Sequence, residues 1–237
     1  MIVDCHNHIG YRKGAYFSAE QCIQWMEESG VDRAVVFAQC EAIDNDYVAE
    51  SAARYPQSLI GFAQLNPWDY SAVEDLSRYC AQLGLRGLKL NPTRHGYALD
   101  RHQILDPLFE VSEALGIVII SHGKDDLFTM PGKFEAMARA FPKVPLIMAH
   151  MGLDRAFNAA LRAARRHKNL YLDTAGVHPK AISSAIEEVG PEKILMGTDA
   201  PWGRFSLSLQ AVDAATDDLS IRNLIKGGNL ARLLDLN

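Results

Sequence analysis

Several classes of protein are excluded by what this sequence lacks. Its four cysteines, Cys5, Cys22, Cys40 and Cys80, are scattered and form no Cys-x-x-Cys pair. They read as reduced, mostly buried thiols rather than a disulfide framework. No apolar run reaches the ~18 residues that a membrane span requires. No charged stretch followed by an apolar one precedes the strand-like Met1-Ile2-Val3-Asp4, so a secretory signal is not expected and the cytoplasm is the expected address. Positive charge is sparse and dispersed: 24 Lys and Arg face 29 Asp and Glu, for a formal net charge of −5. The longest basic run, Arg165-Arg166-His167-Lys168, falls where a helix ends, and cations suit that end of the helix dipole. A nucleic-acid partner would need a basic stripe, and there is none. The first strand leads into Gly10-Tyr11-Arg12-Lys13-Gly14 rather than a Gly-x-Gly-x-x-Gly turn, and no Walker-type loop occurs. Dinucleotide and P-loop folds are therefore disfavoured.

What is present is a regular alternation. The 237 residues are 48% hydrophobic and 22% charged, ordinary for a soluble globular protein with a large core. Short apolar runs near 2–9, 33–39, 59–66, 86–91, 117–122, 145–150, 170–174 and 194–199 read as strands. Amphipathic stretches near 18–29, 45–55, 71–84, 104–115, 131–141, 153–167 and 180–189 read as the helices between them, with further helix near 206–215 and 220–235. Gly30, Gly84 and Gly116 punctuate helix-to-strand junctions, and Asn66-Pro67 and Asn91-Pro92 end strands. Eight strands separated by helices predict one α/β domain over 1–237, a (β/α)₈ TIM barrel. An open doubly wound sheet is the rival, because local pattern does not prove closure.

The chemistry-bearing residues fall at the strand ends. In Asp4-Cys5-His6-Asn7-His8 the strand period of two puts His6 and His8 on one face, where both imidazoles can meet one ion. Taken alone, the pair is as readily two structural histidines as two ligands. Three later strands change that weighting. Ile117–His122, Pro145–His150 and Ile194–Asp199 each end in a metal-capable side chain. A parallel barrel gathers all these ends at one pole. Imidazoles with one carboxylate suit Zn²⁺, and also Mn²⁺, Fe²⁺ or Co²⁺. Such an ion can lower the pKa of bound water from ~15.7 toward ~7. Asp199 could then act both as ligand and as proton acceptor, and His150 as ligand or as general acid/base.

The order His6-x-His8, Lys89, His122, His150, Asp199 resembles the amidohydrolase superfamily, in particular its compact "amidohydrolase 2" branch. The resemblance runs through Gly87-Leu88-Lys89-Leu90-Asn91-Pro92, Ala149-His150-Met151-Gly152, Gly197-Thr198-Asp199-Ala200-Pro201-Trp202 and Gly228-Asn229-Leu230-Ala231-Arg232-Leu233-Leu234. It implies a metal-dependent barrel enzyme with His6, His8, His122 and Asp199 as ligands and His150 as a further ligand or catalytic histidine. It also implies two roles for Lys89: a carbamylated bridge between two metals, or a structural lysine paired with a carboxylate. One ion is expected rather than two. TatD-like nucleases carry a glutamate in the fourth-strand region, where this chain has Arg86-Gly87-Leu88-Lys89.

Arg94, His95, Trp202 and Arg204 follow the fourth and eighth strands and are candidates for substrate contact, with Glu41 and Tyr97 nearby in pattern. An arginine at the mouth can grip a carboxylate through two parallel bonds. The expected reaction is hydrolysis of an amide, lactone or ester-like bond in a small molecule. The alternative is non-oxidative decarboxylation of a carboxylated, often aromatic, substrate, and a non-catalytic binding barrel ranks third. Relatives of this kind often form dimers, so a homodimer is an expectation.

Overall fold

A computed structural model describes residues 1–153 and 155–236. The strands are β1 (Val3–His8), β2 (Gly10–Arg12), β3 (Ala15–Phe17), β4 (Arg33–Phe37), β5 (Leu59–Gly61), β6 (Ala63–Gln64), β7 (Gly87–Leu90), β8 (Val118–Ser121), β9 (Leu146–Met148), β10 (Leu170–Asp173) and β11 (Ile194–Leu195). Parallel pairing runs β1-β4-β5 and then β6-β7-β8-β9-β10-β11. The predicted third strand is split between the two sheets at Phe62, whose N–H still donates to the Val36 carbonyl at 2.9 Å. The ring closes between the first and last strands. Cys5 N–H donates to the Met196 carbonyl at 2.9 Å, and Asn7 bridges Ala200 in parallel. Closure makes the structure an eight-staved TIM barrel and removes the open-sheet alternative.

The alternation along each strand explains why it closes. Val118 and Ile120 of β8 face inward with Val35, Phe37, Ile60, Phe62, Ile147 and Leu195, filling the barrel. Ile119, between them, faces outward to the layer under the helices. Those helices are α1 (Ala19–Ser29), α2 (Asn45–Arg54), α3 (Ala72–Ser77), α4 (Pro92–His95), α5 (His102–Leu115), α6 (Pro131–Ala140), α7 (Phe157–Arg166), α8 (Pro179–Val189) and α9 (Phe205–Ala215), followed by the short α10 (Leu219–Asn223) and α11 (Asn229–Leu233). The α1 start carries a full capping box between Ser18 and Gln21, and its end turns on Gly30 at φ 73°. Among the described residues, no helix is long and apolar enough to cross a membrane.

Three departures from the sequence reading matter. The stretch after β1 is an antiparallel hairpin, β2–β3, whose three-residue strands are too short to register from sequence. The helices expected at 71–84 and 220–235 are broken by wider turns at 78–82 and 224–228. The sixth and eighth barrel strands stop at Met148 and Leu195. His150 and Asp199 therefore sit just beyond them, with left-handed backbones at φ 63° and 62°.

Candidate metal centre

His6 and His8 leave the end of β1 toward the mouth, and Asp199 comes back to meet them. The ligand atoms of these three all lie within 4.8 Å of one another. Asp199 Oδ1 is 3.4 Å from His6 Nε2 and 3.6 Å from His8 Nε2. The convergence is built by backbone: Asp199 N–H donates to the His6 carbonyl at 2.7 Å, and the Trp202 and Gly203 N–H groups close back on the Asp199 carbonyl. A non-glycine residue in the left-handed region costs of order 1–3 kcal/mol, so these bonds hold a geometry the chain would not adopt freely.

Each imidazole is aimed through its far nitrogen. His6 Nδ1 is 2.7 Å from Asp173 Oδ2, His8 Nδ1 3.0 Å from the Ala38 carbonyl, and His150 Nδ1 2.9 Å from the Ala175 carbonyl. An oxygen acceptor at Nδ1 places the ring proton there and leaves the Nε2 lone pair free. Burial pushes the His6 and His8 pKa values well below the usual imidazole range and brings His122 and His150 to about 3, so all four rings are neutral donors. Burial also raises the Asp199 carboxyl to about 7. Neutral nitrogen donors with locked tautomers, facing a carboxylate, fit a borderline divalent cation, whose charge would compensate the buried carboxylate. His6, His8 and Asp199 would hold it.

His122 and His150 line the same cavity, with ring centroids 5.0 Å apart, but stand outside that converging trio. Lys89 is fully buried, its Nζ 3.1 Å from His6 Nε2 and 4.6 Å from the centre of the Phe37 ring. Among the described residues it has no carboxylate partner within ion-pair distance, so the paired structural lysine is not what is seen. Burial lowers its pKa to about 8. The cavity above the trio encloses about 350 Å³ and carries Arg12, Lys89, Arg94 and Lys124 on its walls. Glu41 braces two of these, at 3.3 Å from Arg12 and 3.8 Å from Arg94.

The substrate-contact candidates separate. Arg94 and Trp202 line this cavity. His95 does not: it turns under the loop, Nε2 toward the Cys40 carbonyl at 3.2 Å, while its own carbonyl takes the Trp68 indole N–H. Tyr97 is buried too. Arg204 lines an adjoining cavity of about 400 Å³ and lies 3.4 Å over the Trp25 ring. Lys124, Arg12 and Asp173 were not assigned roles from sequence. Asp173 carried a signal, since it ends β10 just as His122 and Asp199 follow the ends of β8 and β11. Lys124 and Arg12 lie in loop and hairpin, where spacing gives no direction.

The family model described as "Amidohydrolase" matches residues 3–236, and the chain belongs to that family. It is 23% identical to a 2-amino-3-carboxymuconate-6-semialdehyde decarboxylase of Dictyostelium discoideum over 81% of this chain and 66% of the relative, so it spans just under two thirds of that protein's length. It is 21% identical to a gamma-resorcylate decarboxylase of a Polaromonas species over 91% of this chain and 86% of the relative. In fold it is similar to a Polaromonas dihydroxybenzoic acid decarboxylase solved with manganese and 2-nitroresorcinol. The TM-score is 0.81 at 18% identity, covering 100% of this chain and 97% of that one.

Proposed function

We propose that this chain is a metal-dependent, non-oxidative decarboxylase of a small carboxylated aromatic or enol-like substrate, rather than the hydrolase first expected. The observation that carries the reading is the His6–His8–Asp199 trio at the floor of a cavity walled by four cations. Such a cavity favours an anionic substrate over a neutral amide or lactone. The decarboxylases among its relatives support the same choice.

A divalent ion held by His6, His8 and Asp199 would supply positive charge that draws electrons away from the carboxylated carbon. Arg94 and Lys124 hold the carboxylate and its neighbouring oxygens from the walls. When the C–C bond breaks, CO₂ leaves, the electron pair stays on carbon, and that carbon takes a proton. Asp199 is the better carrier of that proton. Its Oδ1 faces both imidazoles, so its second oxygen is the one left to carry a proton. His150, at about 3, is unprotonated at neutral pH and serves to orient.

The test is a turnover screen in D₂O with 2,6-dihydroxybenzoate and 5-carboxyvanillate alongside lactones and amides. CO₂ release with one deuterium at the vacated carbon is the expected result. Turnover of only the lactones or amides, with solvent oxygen entering the product, would return the reading to hydrolysis.

A further inference from the structure

The cavity that adjoins the one above the His6–His8–Asp199 trio encloses about 400 Å³. Lys124, His150, Asp199 and Trp202 line both, so the two spaces meet beside the trio. One wall of the adjoining cavity is a face of α9. Arg204 at the N-cap is followed by Leu207 and Ala211, and steps of three and seven residues put all three on one side of the helix. Val177, from the loop after β10, adds a further apolar group. Leu207 keeps 62% of its surface uncovered, so this face has little cover within the described chain.

The cations of the two cavities differ in how they are balanced. Arg12 and Arg94 share the Glu41 carboxylate. Lys124 and Arg204, which both line the adjoining cavity, have no carboxylate within ion-pair distance among the described residues. Arg204 is nonetheless fixed in place. Its guanidinium lies 3.4 Å over the Trp25 ring, and Trp25 packs on the core and on Phe17, ring centroids 4.7 Å apart. A guanidinium stacked by its face keeps its edge N–H donors, in the fork that matches a carboxylate. Holding that fork in place beforehand reduces the freedom lost when an anion binds.

We infer that this second cavity takes an arm of the substrate that ends in a carboxylate, with Arg204 as the residue that holds it. The arm's carbons lie against Val177, Leu207 and Ala211, and the carboxylate that leaves as CO₂ stays at the trio beside Lys124. The substrate is then a dicarboxylate with separated acid groups, one on the reacting carbon and one on a short apolar arm. The inference rests on the decarboxylase reading for the reacting end, but its test needs no turnover.

The probes are benzoates with a meta arm of one to three CH₂ groups ending in a carboxylate, each compared with the methyl ester of its arm. They are titrated into ¹⁵N-labelled, Zn²⁺-loaded protein and read on the three indole N–H signals. Trp25 lies under Arg204, Trp202 lines both cavities and Trp68 lines neither, with Trp25→Phe and Trp202→Phe as assignments. Benzoate itself should shift Trp202 alone. The diacid of matching length should shift Trp202 and Trp25 together and bind about tenfold tighter than its ester. Arg204→Met should bring diacid and ester to parity. Arg165→Met, which removes the same charge from an exposed position on α7, should keep the preference. Equal affinity for acid and ester at every arm length in the wild type would overturn the subsite, whatever the variants do. So would a preference that survives Arg204→Met, which would move the second carboxylate to another wall. A diacid that shifts Trp202 and leaves Trp25 unmoved would overturn it too. Failure of CO₂ release alongside the expected shifts would remove the reaction and leave the subsite standing, and CO₂ release with no preference for the acid would do the reverse.

Discussion

The Nδ1 atom of His6 lies 2.7 Å from Oδ2 of Asp173, both fully buried, across 167 residues of chain. Asp173 Oδ1 meanwhile accepts the backbone N–H groups of His150 and Ala175 at 2.8 and 2.9 Å. One carboxylate thus fixes the tautomer of one candidate ligand and the backbone of the histidine opposite. Asp173 is a positioning residue, and outer partners of this kind are worth about 10- to 100-fold in metal affinity. Asp173→Asn, which cannot accept through its amide nitrogen, should weaken divalent-metal affinity by about that factor in a chelator competition. Circular dichroism of the variant should stay native. Unchanged affinity in a folded variant would mean that His6 is not a ligand.

The number of ions follows from the same geometry. His6, His8 and Asp199 converge on one point, while His122 and His150 stand apart from it. Elemental analysis of protein purified without chelator should give about one ion per chain, lost in His6→Ala/His8→Ala. Lys89 should show no added CO₂ in the intact mass. Two ions per chain, with that mass increment, would make Lys89 a carbamate bridge and restore hydrolysis as the better reading.

Much of this architecture is legible in the sequence. The barrel follows from eight apolar runs whose alternate residues fill it, and the trio follows from residues at or just past strand ends, which one pole must gather. The β2–β3 hairpin was not legible, because three residues per strand give no period to read. Nor was the fate of His95, which follows β7 as Arg94 does but is drawn away by the Cys40 carbonyl. A loop side chain's direction is set by its tertiary partners, and spacing carries no information about them. The left-handed turns at His150 and Asp199 are similar: they are imposed by Asp173 and by the His6 carbonyl, both distant in sequence.

Lys124 borders both the cavity above the His6–His8–Asp199 trio and the adjoining one that Arg204 lines. A charge-assisted hydrogen bond contributes about 1.5–3 kcal/mol, which corresponds to roughly 10- to 100-fold in binding. Lys124→Met should therefore raise KM for a carboxylated substrate by about that factor with little change in kcat. A fall in kcat at constant KM would instead make Lys124 part of the chemical step.

Gly87, on β7, has no room for a side chain: a Cβ there would run into the Phe62 ring of the barrel interior. Overpacking a filled core costs about 1–3 kcal/mol. Gly87→Ala should lower the urea midpoint accordingly, with the unfolding slope unchanged. Because Lys89 is two residues further along the same strand, metal content should also be checked. A variant as stable as the wild type would show that the barrel interior gives way at Phe62.

The sharpest test of the proton's route is Asp199→Asn. The amide keeps the shape of the side chain and an oxygen able to face His6 and His8, but it cannot carry a proton to carbon. Proton transfer by a positioned group contributes about 10²- to 10⁴-fold to rate, so kcat should fall by that much. Excess metal should not restore it, because saturating the site repairs ligation and leaves proton delivery absent. His150→Gln, by contrast, should leave more activity, since that ring is neutral near pH 7 and its one proton is held on the Ala175 carbonyl. If Asp199→Asn recovers fully with added metal while His150→Gln is dead, the proton comes from His150, and Asp199 is a ligand alone.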